Sequence, residues 1–522
     1  MTAASSYPGA GEARAMQADR GGSTLSLGRV YSRALVGVEA PLVTVETHIS
    51  NGLPGLAVVG LPETAVRESR ERVRSAILNV NLEFPARRIT VNLAPAELPK
   101  VGGRYDLAIA LSILAASGQL PDDRLGQYEF LGELALGGEL RGVEGVLASA
   151  IQARDSGRQL VVPAANQSEA GLVRGCRAGY ANVINDILRL LSEGQSLPVC
   201  VPPPDFAEQM GTENPCDLAS IRGQRRPKRA LQLAAAGGHN LLLKGPPGTG
   251  KTLLASALPG ILPRLGEEAA LQVAALRSVA NQPLKLPEFY LPPFRTPHHS
   301  ASPASLVGGG ARALPGEVSL AHHGVLFLDE LPEFTGRALE VLREPLEARA
   351  ITVSRASHRI RYPASFQLVA AMNPCPCGYH GDPSGRCRCT QPRIDAYQSK
   401  ISGPLLDRID LVVNVPRLSA IELMGDPAPG PDSASIQQAV VDCRARQLQR
   451  AGRLNATLSG PRLERDCRLD KSGKRLLREA MDKLRLSARG YHRVLKLART
   501  IADCENSDTI DAQHLLEALS YR

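Results

Sequence analysis

The sequence predicts an α/β protein of about three domains. Its 522 residues are several times the length of one typical domain. Short β-branched runs, such as 42–47 and 89–93, alternate with helical stretches, such as the apolar segment 106–116. A further apolar strand, 241–243, leads into a glycine-rich turn and then a helix, which is the order of elements in an α/β core.

The composition is that of a globular chain, with 43% hydrophobic and 22% charged residues. A membrane span needs about 18 apolar residues, whereas the longest apolar run, 107–116, has ten and includes Ser112. The first 30 residues lack the basic start and apolar block of a secretory signal. Ten cysteines are too few for a disulfide scaffold. We therefore expect a cytoplasmic protein with no membrane partner.

Shifts in composition divide the chain into units. Successive prolines at Pro202, Pro203 and Pro204 indicate one linker, and a cluster of Pro, Gly, Asp and Ser at 425–435 indicates another. The predicted units are a flexible leader at 1–24, a first domain at 25–197, a linker at 198–216, a core at 217–417, a linker at 418–435 and a helical domain at 436–522.

The positive charge is concentrated near the carboxyl terminus. Residues 441–500 hold 17 Lys and Arg and 6 Asp and Glu, a net charge of +11, so the rest of the chain carries −2 of the total of +9. Such a region favours a polyanionic partner, nucleic acid first of all, although a solvated helical face is the alternative. Because aromatic residues are 4% and Trp is absent, contacts should be mainly to phosphates.

The glycine-rich turn fits the phosphate-loop pattern G-x-x-x-x-G-K-[ST]. Its members are Gly245, Pro246, Pro247, Gly248, Thr249, Gly250, Lys251 and Thr252. Glycines let backbone N–H groups wrap phosphates, and the helix that follows directs its positive end at them. We expect Lys251 to reach the β- and γ-phosphates of ATP and Thr252 to hold Mg²⁺.

Two later strand ends supply matching groups. The run 325–328 ends in Asp329 and Glu330, which predicts Asp329 in the Mg²⁺ shell and Glu330 as the group that polarises the attacking water. A pair of surface acids is the alternative. The run 367–371 leads to Asn373, which can orient that water, or can simply form a turn before Pro374.

With these motifs in place, the core resembles the AAA+ ATPases, within them the magnesium-chelatase and MCM-helicase branch, and most closely the ComM (YifB) family. The segments that carry the closer match are 237–243 (GGHNLLL), 294–300 (FRTPHHS), 315–322 (PGEVSLAH) and 402–410 (SGPLLDRID). In that branch an arginine from a neighbouring subunit of a ring completes the active site. Arg408 matches this arginine-finger position, and Arg493, with Arg489 as its rival, resembles the sensor-2 arginine.

Two insertions resemble elements of the same branch that grip a polymer. The first, 294–320, resembles the helix-2 insertion. The second, two β runs about a polar turn at 351–362, resembles the pre-sensor-1 hairpin. Its cations would offer sequence-independent, salt-sensitive contacts to DNA, unless the hairpin points outward into solvent. These residues are Arg355, His358, Arg359 and Arg361.

A cysteine group follows Asn373. Cys375, Cys377, Cys387 and Cys389 form two C-x-C pairs separated by a glycine-containing segment. Four thiolates in tetrahedral array favour structural Zn²⁺. Free thiols or another metal are the alternatives, because C-x-C is less diagnostic than C-x-x-C.

The first domain resembles the Lon-protease/S5-like fold, on the segments 98–107 (LPKVGGRYDL) and 132–140 (GELALGGEL). Active Lon domains use a Ser nucleophile and a Lys. The matching positions here hold Arg104 and Leu147, which can neither attack a carbonyl nor take its proton. We therefore expect no peptidase activity.

The resemblance implies a homo-oligomeric, hexameric ring that hydrolyses ATP to move on single-stranded or branched DNA. Helicase and branch-migration activity in recombination and natural transformation would follow. The alternative is a chelatase-type ATPase that remodels a protein partner or drives metal insertion.

Overall fold

The computed structural model describes residues 27–60, 64–202, 216–282, 286–310, 313–354, 359–419, 422 and 431–522. The predicted leader and the centre of the first predicted linker lie outside these ranges. Two large sheets with flanking helices form the described chain, which confirms the predicted α/β class. Among the described residues, none of the helices combines the length and apolar character that a bilayer crossing requires.

The first sheet lies in the amino-terminal region and has seven strands. Its order is β3-β4-β2-β1-β5-β8-β9, and β6 and β7 pair separately. The strands are β1 Leu27–Arg33, β2 Leu42–Ser50, β3 Gly55–Val59, β4 Arg88–Ala94, β5 Tyr128–Phe130, β6 Glu133–Leu134, β7 Leu140–Arg141, β8 Gln159–Pro163 and β9 Ala178–Ala181. The helices are Thr64–Asn79, Asp106–Ala116, Val146–Ser156, Gln167–Gly171 and Ile184–Glu193.

The helix Asp106–Ala116 forms the centre of this region. It is apolar on all sides and almost every residue is buried, as expected of a helix enclosed by other elements. It rests on β1 at Gly28, where a Cβ would lie 2.2 Å from the carbonyl oxygen of Ser112 and 2.8 Å from the backbone nitrogen of Ala116. Glycine is therefore what permits the close approach of helix and strand.

The second sheet has five parallel strands in the order β11-β14-β17-β10-β18. Two antiparallel hairpins, β12–β13 and β15–β16, accompany it. The strands are β10 Leu241–Lys244, β11 Phe294–Arg295, β12 Gly308–Gly309, β13 Leu314–Pro315, β14 Val325–Leu328, β15 Ala350–Ser354, β16 Arg359–Pro363, β17 Gln367–Met372 and β18 Leu411–Asn414. The helices are Arg225–Gly237, Lys251–Ala257, Glu267–Val279, Pro303–Val307, Glu317–Leu320, Gly336–Glu340, Arg343–Ala348, Gln391–Gln398 and Gly403–Leu406.

The predicted insertion at 294–320 is shorter than the sequence suggested. Its first two residues, Phe294–Arg295, form the edge strand of the parallel sheet beside β14. The inserted part follows and contains the helix Pro303–Val307 and the hairpin β12–β13. A two-residue strand is too short to be distinguished from a loop by sequence periodicity.

The carboxyl-terminal region is helical, as predicted, and packs on the core sheet. Its helices are Ser433–Ala451, Gly460–Asp466, Lys471–Leu484, Ala488–Cys504 and Ala512–Leu519. The first begins at Ser433, three residues before the predicted start, because the Asp432 side chain accepts the backbone N–H of Ser435 and caps it. The buried His239 joins core and helices: its ring nitrogens lie 3.4 Å from Asp410 Oδ2 and 2.8 Å from Thr500 Oγ1.

The amino-terminal region contacts the core at two places. The helix Val146–Ser156 shares a hydrophobic cluster with the helix Glu267–Val279. The turn at Gly37 lies against Ile360 and Tyr362 of the hairpin β15–β16. The start of the predicted linker also belongs to this region, because Val199 forms an antiparallel β-bridge with Gly179 of β9.

We predict that Gly28→Ala lowers the free energy of unfolding by about 1–3 kcal/mol, since the added methyl must displace the helix Asp106–Ala116. Gly126→Ala is the matched control, because a Cβ there meets nothing within 4 Å. Urea unfolding followed by circular dichroism measures both variants. Equal midpoints for Gly28→Ala and the wild type would contradict the packing argument.

Candidate nucleotide-binding site

The phosphate loop joins β10 to the helix Lys251–Ala257. Gly248 and Gly250 have φ angles of 75° and 83°, and a Cβ at either would meet nothing within 4 Å. Glycine is therefore required by the backbone conformation rather than by crowding. The open space leaves the loop free to receive phosphates at the start of the helix.

Lys251 is held by three oxygens. Its Nζ donates to the carbonyl oxygens of Gly245 and Pro246, both at 2.8 Å, and to Asn373 Oδ1 at 3.1 Å. Burial lowers the pKa of Lys251, and the nearby charges of Asp329 and Glu330 oppose that shift. The Lys251 ammonium therefore lies at the phosphate loop, where phosphate oxygens can replace these three oxygens as its hydrogen-bond acceptors.

Thr252 and Asp329 meet as the sequence predicts. Thr252 Oγ1 donates to Asp329 Oδ2 at 2.7 Å, although 76 residues separate the two in the chain. A hydroxyl and a carboxylate side by side at the phosphate loop are the hard oxygen ligands that suit Mg²⁺. These two residues would hold the ion, which would supply positive charge against the phosphates.

Glu330 follows Asp329 in an unusual backbone conformation, with φ of 51°. Its backbone N–H donates to Asp329 Oδ1 at 2.9 Å. Its carboxylate Oε2 lies 3.4 Å from His299 Nδ1, and more than half of its side chain is exposed. The carboxylate is therefore free of the core and able to approach a water molecule.

His299 is the residue at this site that sequence reasoning did not assign. It lies in the segment 294–300, which carried the family resemblance, but no spacing rule connects it to Glu330. The structure brings the two together because β11 and β14 are parallel neighbours. His299 is thus within ion-pair distance of the Glu330 carboxylate.

Arg408 and Arg493 lie at the opposite edge of the sheet from the phosphate loop. The carbonyl oxygen of Arg408 accepts from Asn240 Nδ2 at 2.7 Å. Asn240 precedes β10, whereas Gly245 follows it, so about 16 Å of extended chain separates the two. The Arg408 guanidinium pairs with Glu347. In its own chain, Arg408 cannot serve this phosphate loop.

Arg493 accompanies Arg408. It donates to the carbonyl oxygens of Leu406 and Ile409 at 3.0 and 2.6 Å, and to Asp407 Oδ1 at 3.0 Å. Its rival, Arg489, lies 3.8 Å from Asp407 Oδ2. A cleft of about 710 Å³ is lined by all three arginines. They form one cationic surface at the amino ends of the strands.

The hairpin β15–β16 has the predicted antiparallel form, with Ser354 opposite Arg359 and Thr352 opposite Arg361. Both arginines are exposed, whereas Tyr362 is buried. Two of the four predicted DNA contacts are therefore on an accessible face. The other two, Arg355 and His358, lie outside the described residues.

The four cysteines converge. All four Sγ atoms lie within 4.8 Å of one another, and Cys387 Sγ is 3.8 Å from Cys375 Sγ and 3.7 Å from Cys377 Sγ. A tetrahedral Zn²⁺ with bonds near 2.3 Å would place its sulfurs about 3.8 Å apart. Backbone N–H groups of Tyr379 and Arg388 lower the pKa of Cys377 to about 6, whereas desolvation and the neighbouring sulfurs raise the pKa of Cys387 to about 11, so without a metal one thiolate among the cluster is favoured. The donor set fits Zn²⁺.

The two residues predicted at the Lon-dyad positions are both buried. Arg104 Nη2 donates to Ser149 Oγ at 3.2 Å. Leu147 lies two residues before Ser149 on the helix Val146–Ser156 and belongs to the apolar cluster that this helix shares with the helix Glu267–Val279.

Comparison with known proteins gives a consistent result. Family models for subunit ChlI of magnesium chelatase match residues 45–166, 217–423 and 430–522. Competence protein ComM of Haemophilus influenzae is 49% identical over 500 residues, which are 95% of this chain and 98% of that protein. YifB of Escherichia coli is 50% identical over 499 residues, 95% and 97% of the two chains. The chain belongs to the ComM/YifB family.

Membership of the ComM/YifB family confirms the predicted resemblance and the AAA+ fold class. It supports a ComM-type ATPase that uses ATP and Mg²⁺. A more distant relative, magnesium-chelatase subunit ChlI of Trieres chinensis, is 27% identical over 183 residues, 30% of this chain and 51% of that protein.

We predict that Glu330→Gln retains ATP binding and lowers the turnover of ATP by about 10²–10⁴-fold, because the amide cannot polarise water. Binding of a fluorescent ATP analogue and steady-state phosphate release measure the two effects. Glu333→Gln, a nearby acid outside the proposed site, is the control. Turnover retained in Glu330→Gln would remove this role from the carboxylate.

We predict that Arg408→Ala lowers turnover by about 10³–10⁵-fold while ATP still binds. The geometry also predicts complementation. Lys251→Ala subunits keep Arg408, and Arg408→Ala subunits keep the phosphate loop, so mixtures of the two inactive variants should regain activity. Mixtures that stay inactive at every ratio would contradict an arginine acting between subunits.

Proposed function

We propose that this ComM/YifB-family protein is a ring-forming ATPase, a hexamer, that couples ATP hydrolysis to movement on DNA. The observation that carries the proposal is the division of one catalytic site between two edges of the core sheet. Lys251, Asp329 and Glu330 lie at the carboxyl ends of the strands, and Arg408 at the amino ends. A head-to-tail ring brings the two edges together, whereas a monomer does not.

The DNA track is supported by charge. Arg359 and Arg361 are exposed on the hairpin β15–β16, and the residues 441–500 carry a net charge of +11. Aromatic residues are 4% of the sequence and Trp is absent, so the contacts we propose are to phosphates. The name of the Haemophilus influenzae relative, a competence protein, is in keeping with a role on incoming or recombining DNA. Helicase and branch-migration activity are part of this proposal.

We further propose that the four cysteines hold one structural Zn²⁺, since four protein ligands leave no open coordination position for catalysis.

A second candidate is a chelatase-type ATPase that remodels a protein partner or drives metal insertion. The similarity to a magnesium-chelatase subunit favours it. The ChlI family models match 45–166, 217–423 and 430–522, but the individual ChlI relative aligns over only 30% of this chain, whereas the likeness to ComM covers 95% of it. DNA dependence of the ATPase separates the two candidates.

We predict that single-stranded or branched DNA stimulates ATP turnover at low salt and that stimulation declines as salt rises. The variant Arg359→Ala/Arg361→Ala should reduce the magnitude of the slope of log affinity against log salt by about 1.4, since each phosphate contact to single strands contributes about 0.7. Arg70→Ala/Arg87→Ala, two exposed arginines of the amino-terminal region outside both proposed surfaces, is the control. DNA that neither binds nor stimulates at low salt would favour a protein client.

A further inference from the structure

The cysteine loop, residues 374–390, begins immediately after strand β17 and Asn373. Asn373 follows β17, and Pro374 alone separates it from Cys375. Both ends of the phosphate loop, Gly245 and Lys251, form hydrogen bonds with the chain at the end of β17. Gly245 N donates to the carbonyl oxygen of Met372 at 3.2 Å, and Lys251 Nζ donates to Asn373 Oδ1 at 3.1 Å.

The cysteine loop also packs directly on the phosphate loop. Gly378, next to Cys377, has φ of 84°, and a Cβ there would lie 2.5 Å from Cδ of Pro247 and 3.1 Å from its Cγ. A side chain at this position would therefore push the two loops apart. Gly378 follows Cys377 and precedes Cys387 in the sequence. It is in contact with Pro247 at the tip of the phosphate loop.

The cysteine loop has little regular structure of its own. Between Met372 and Gln391 the chain forms turns but no helix or strand. Three of its glycines, Gly378, Gly381 and Gly385, have positive φ, and such a segment loses much conformational entropy when it is ordered. Besides Gly378 on Pro247, the contacts of the described loop with the rest of the chain include a hydrogen bond from Gln398 Nε2 to the carbonyl oxygen of Pro374 at 2.9 Å and Arg417, which lies 3.6 Å from Asp382 and 5.5 Å from the Tyr379 ring centroid.

A metal ion would supply the missing constraint. Joining four thiolates from both ends of the loop closes it into a small, cross-linked unit, and the free energy of metal binding becomes free energy of folding for that unit. The unit then presents Gly378 to Pro247 and fixes the start of the loop beside Asn373. Without the cross-link, the contacts with the rest of the chain alone would oppose the loop entropy.

We propose that the ion held by Cys375, Cys377, Cys387 and Cys389 acts as a brace for the nucleotide site, so that ATP affinity depends on metal occupancy. This inference rests on the proposed ATPase function and adds to it a dependence that the zinc site alone does not imply. Gly378 and Asn373 are positioning residues in this arrangement. The ion itself takes no part in the chemistry.

The test measures metal content and nucleotide affinity separately on the full chain. Elemental analysis gives zinc per chain, and a fluorescent ATP analogue with Mg²⁺ gives the dissociation constant. Protein purified without chelators should hold one zinc per chain. Chelation, or Cys387→Ser/Cys389→Ser, should raise the dissociation constant about tenfold, and Zn²⁺ added back to the chelated wild type should restore it.

Three further variants isolate the brace from general folding. Gly378→Ala keeps all four cysteines, so it should retain zinc while binding ATP about tenfold more weakly. Gly381→Ala controls for backbone strain, because Gly381 also has a positive φ of 76° but its Cβ would meet nothing within 4 Å; it should leave ATP affinity unchanged. Cys176→Ser removes a half-buried thiol outside the cluster and should change neither quantity.

The outcomes are distinguishable. Zinc well below one per chain overturns the metal site. Full zinc with unchanged ATP affinity after its removal overturns the brace and leaves the proposed ATPase intact. Zinc-loaded wild type that binds no nucleotide overturns the proposed function, and the brace with it.

Discussion

The buried ammonium of Lys251 is the interaction on which the site depends. A charge taken out of water must be met by polar partners, and here the partners are two carbonyl oxygens of the loop and the amide oxygen of Asn373. The amide can reach it only because β10 and β17 are adjacent, parallel and in register, with Lys244 opposite Met372. The same alignment places β14 next to β17 and so delivers Asp329 to Thr252. The adjacency of β10, β17 and β14 is thus what brings Asn373 to the Lys251 ammonium and Asp329 to Thr252.

Most residues of this site could be predicted from local sequence patterns. The phosphate loop, the acids after β14 and the amide after β17 each lie where a buried strand ends, and a periodicity argument finds such ends. His299 beside Glu330 and Gly378 against Pro247 were beyond reach, because each pair is joined by packing between distant segments. The edge strand β11 was missed for a related reason: two residues carry too little pattern, and only its pairing with β14 defines it.

The amino-terminal region contacts the core at the hairpin β15–β16 and at the helix Glu267–Val279. One of its turns contacts the hairpin β15–β16 through Gly37, Ile360 and Tyr362. One of its helices packs on the helix Glu267–Val279, and Glu169 Oε1 accepts from both Leu147 N and Ser278 Oγ across that contact. Leu147 belongs to the apolar cluster at this contact, and Arg104 is buried and donates to Ser149 of the same helix. The amino-terminal region thus contacts both the helix Glu267–Val279 and the hairpin β15–β16.

Strand β17 connects the two functional ends of the core. It begins four residues after the hairpin strand β16 and ends one residue before Asn373. Every residue of β17 is buried, and its neighbours β10 and β14 hold it on both sides by parallel pairing. A six-residue strand fixed in this way cannot absorb a displacement by bending, since close-packed interiors transmit strain. Strand β17 is therefore a direct covalent connection between Asn373, which accepts from Lys251, and the hairpin that carries the exposed arginines Arg359 and Arg361. The cysteine loop is attached to the same end of the strand as Asn373.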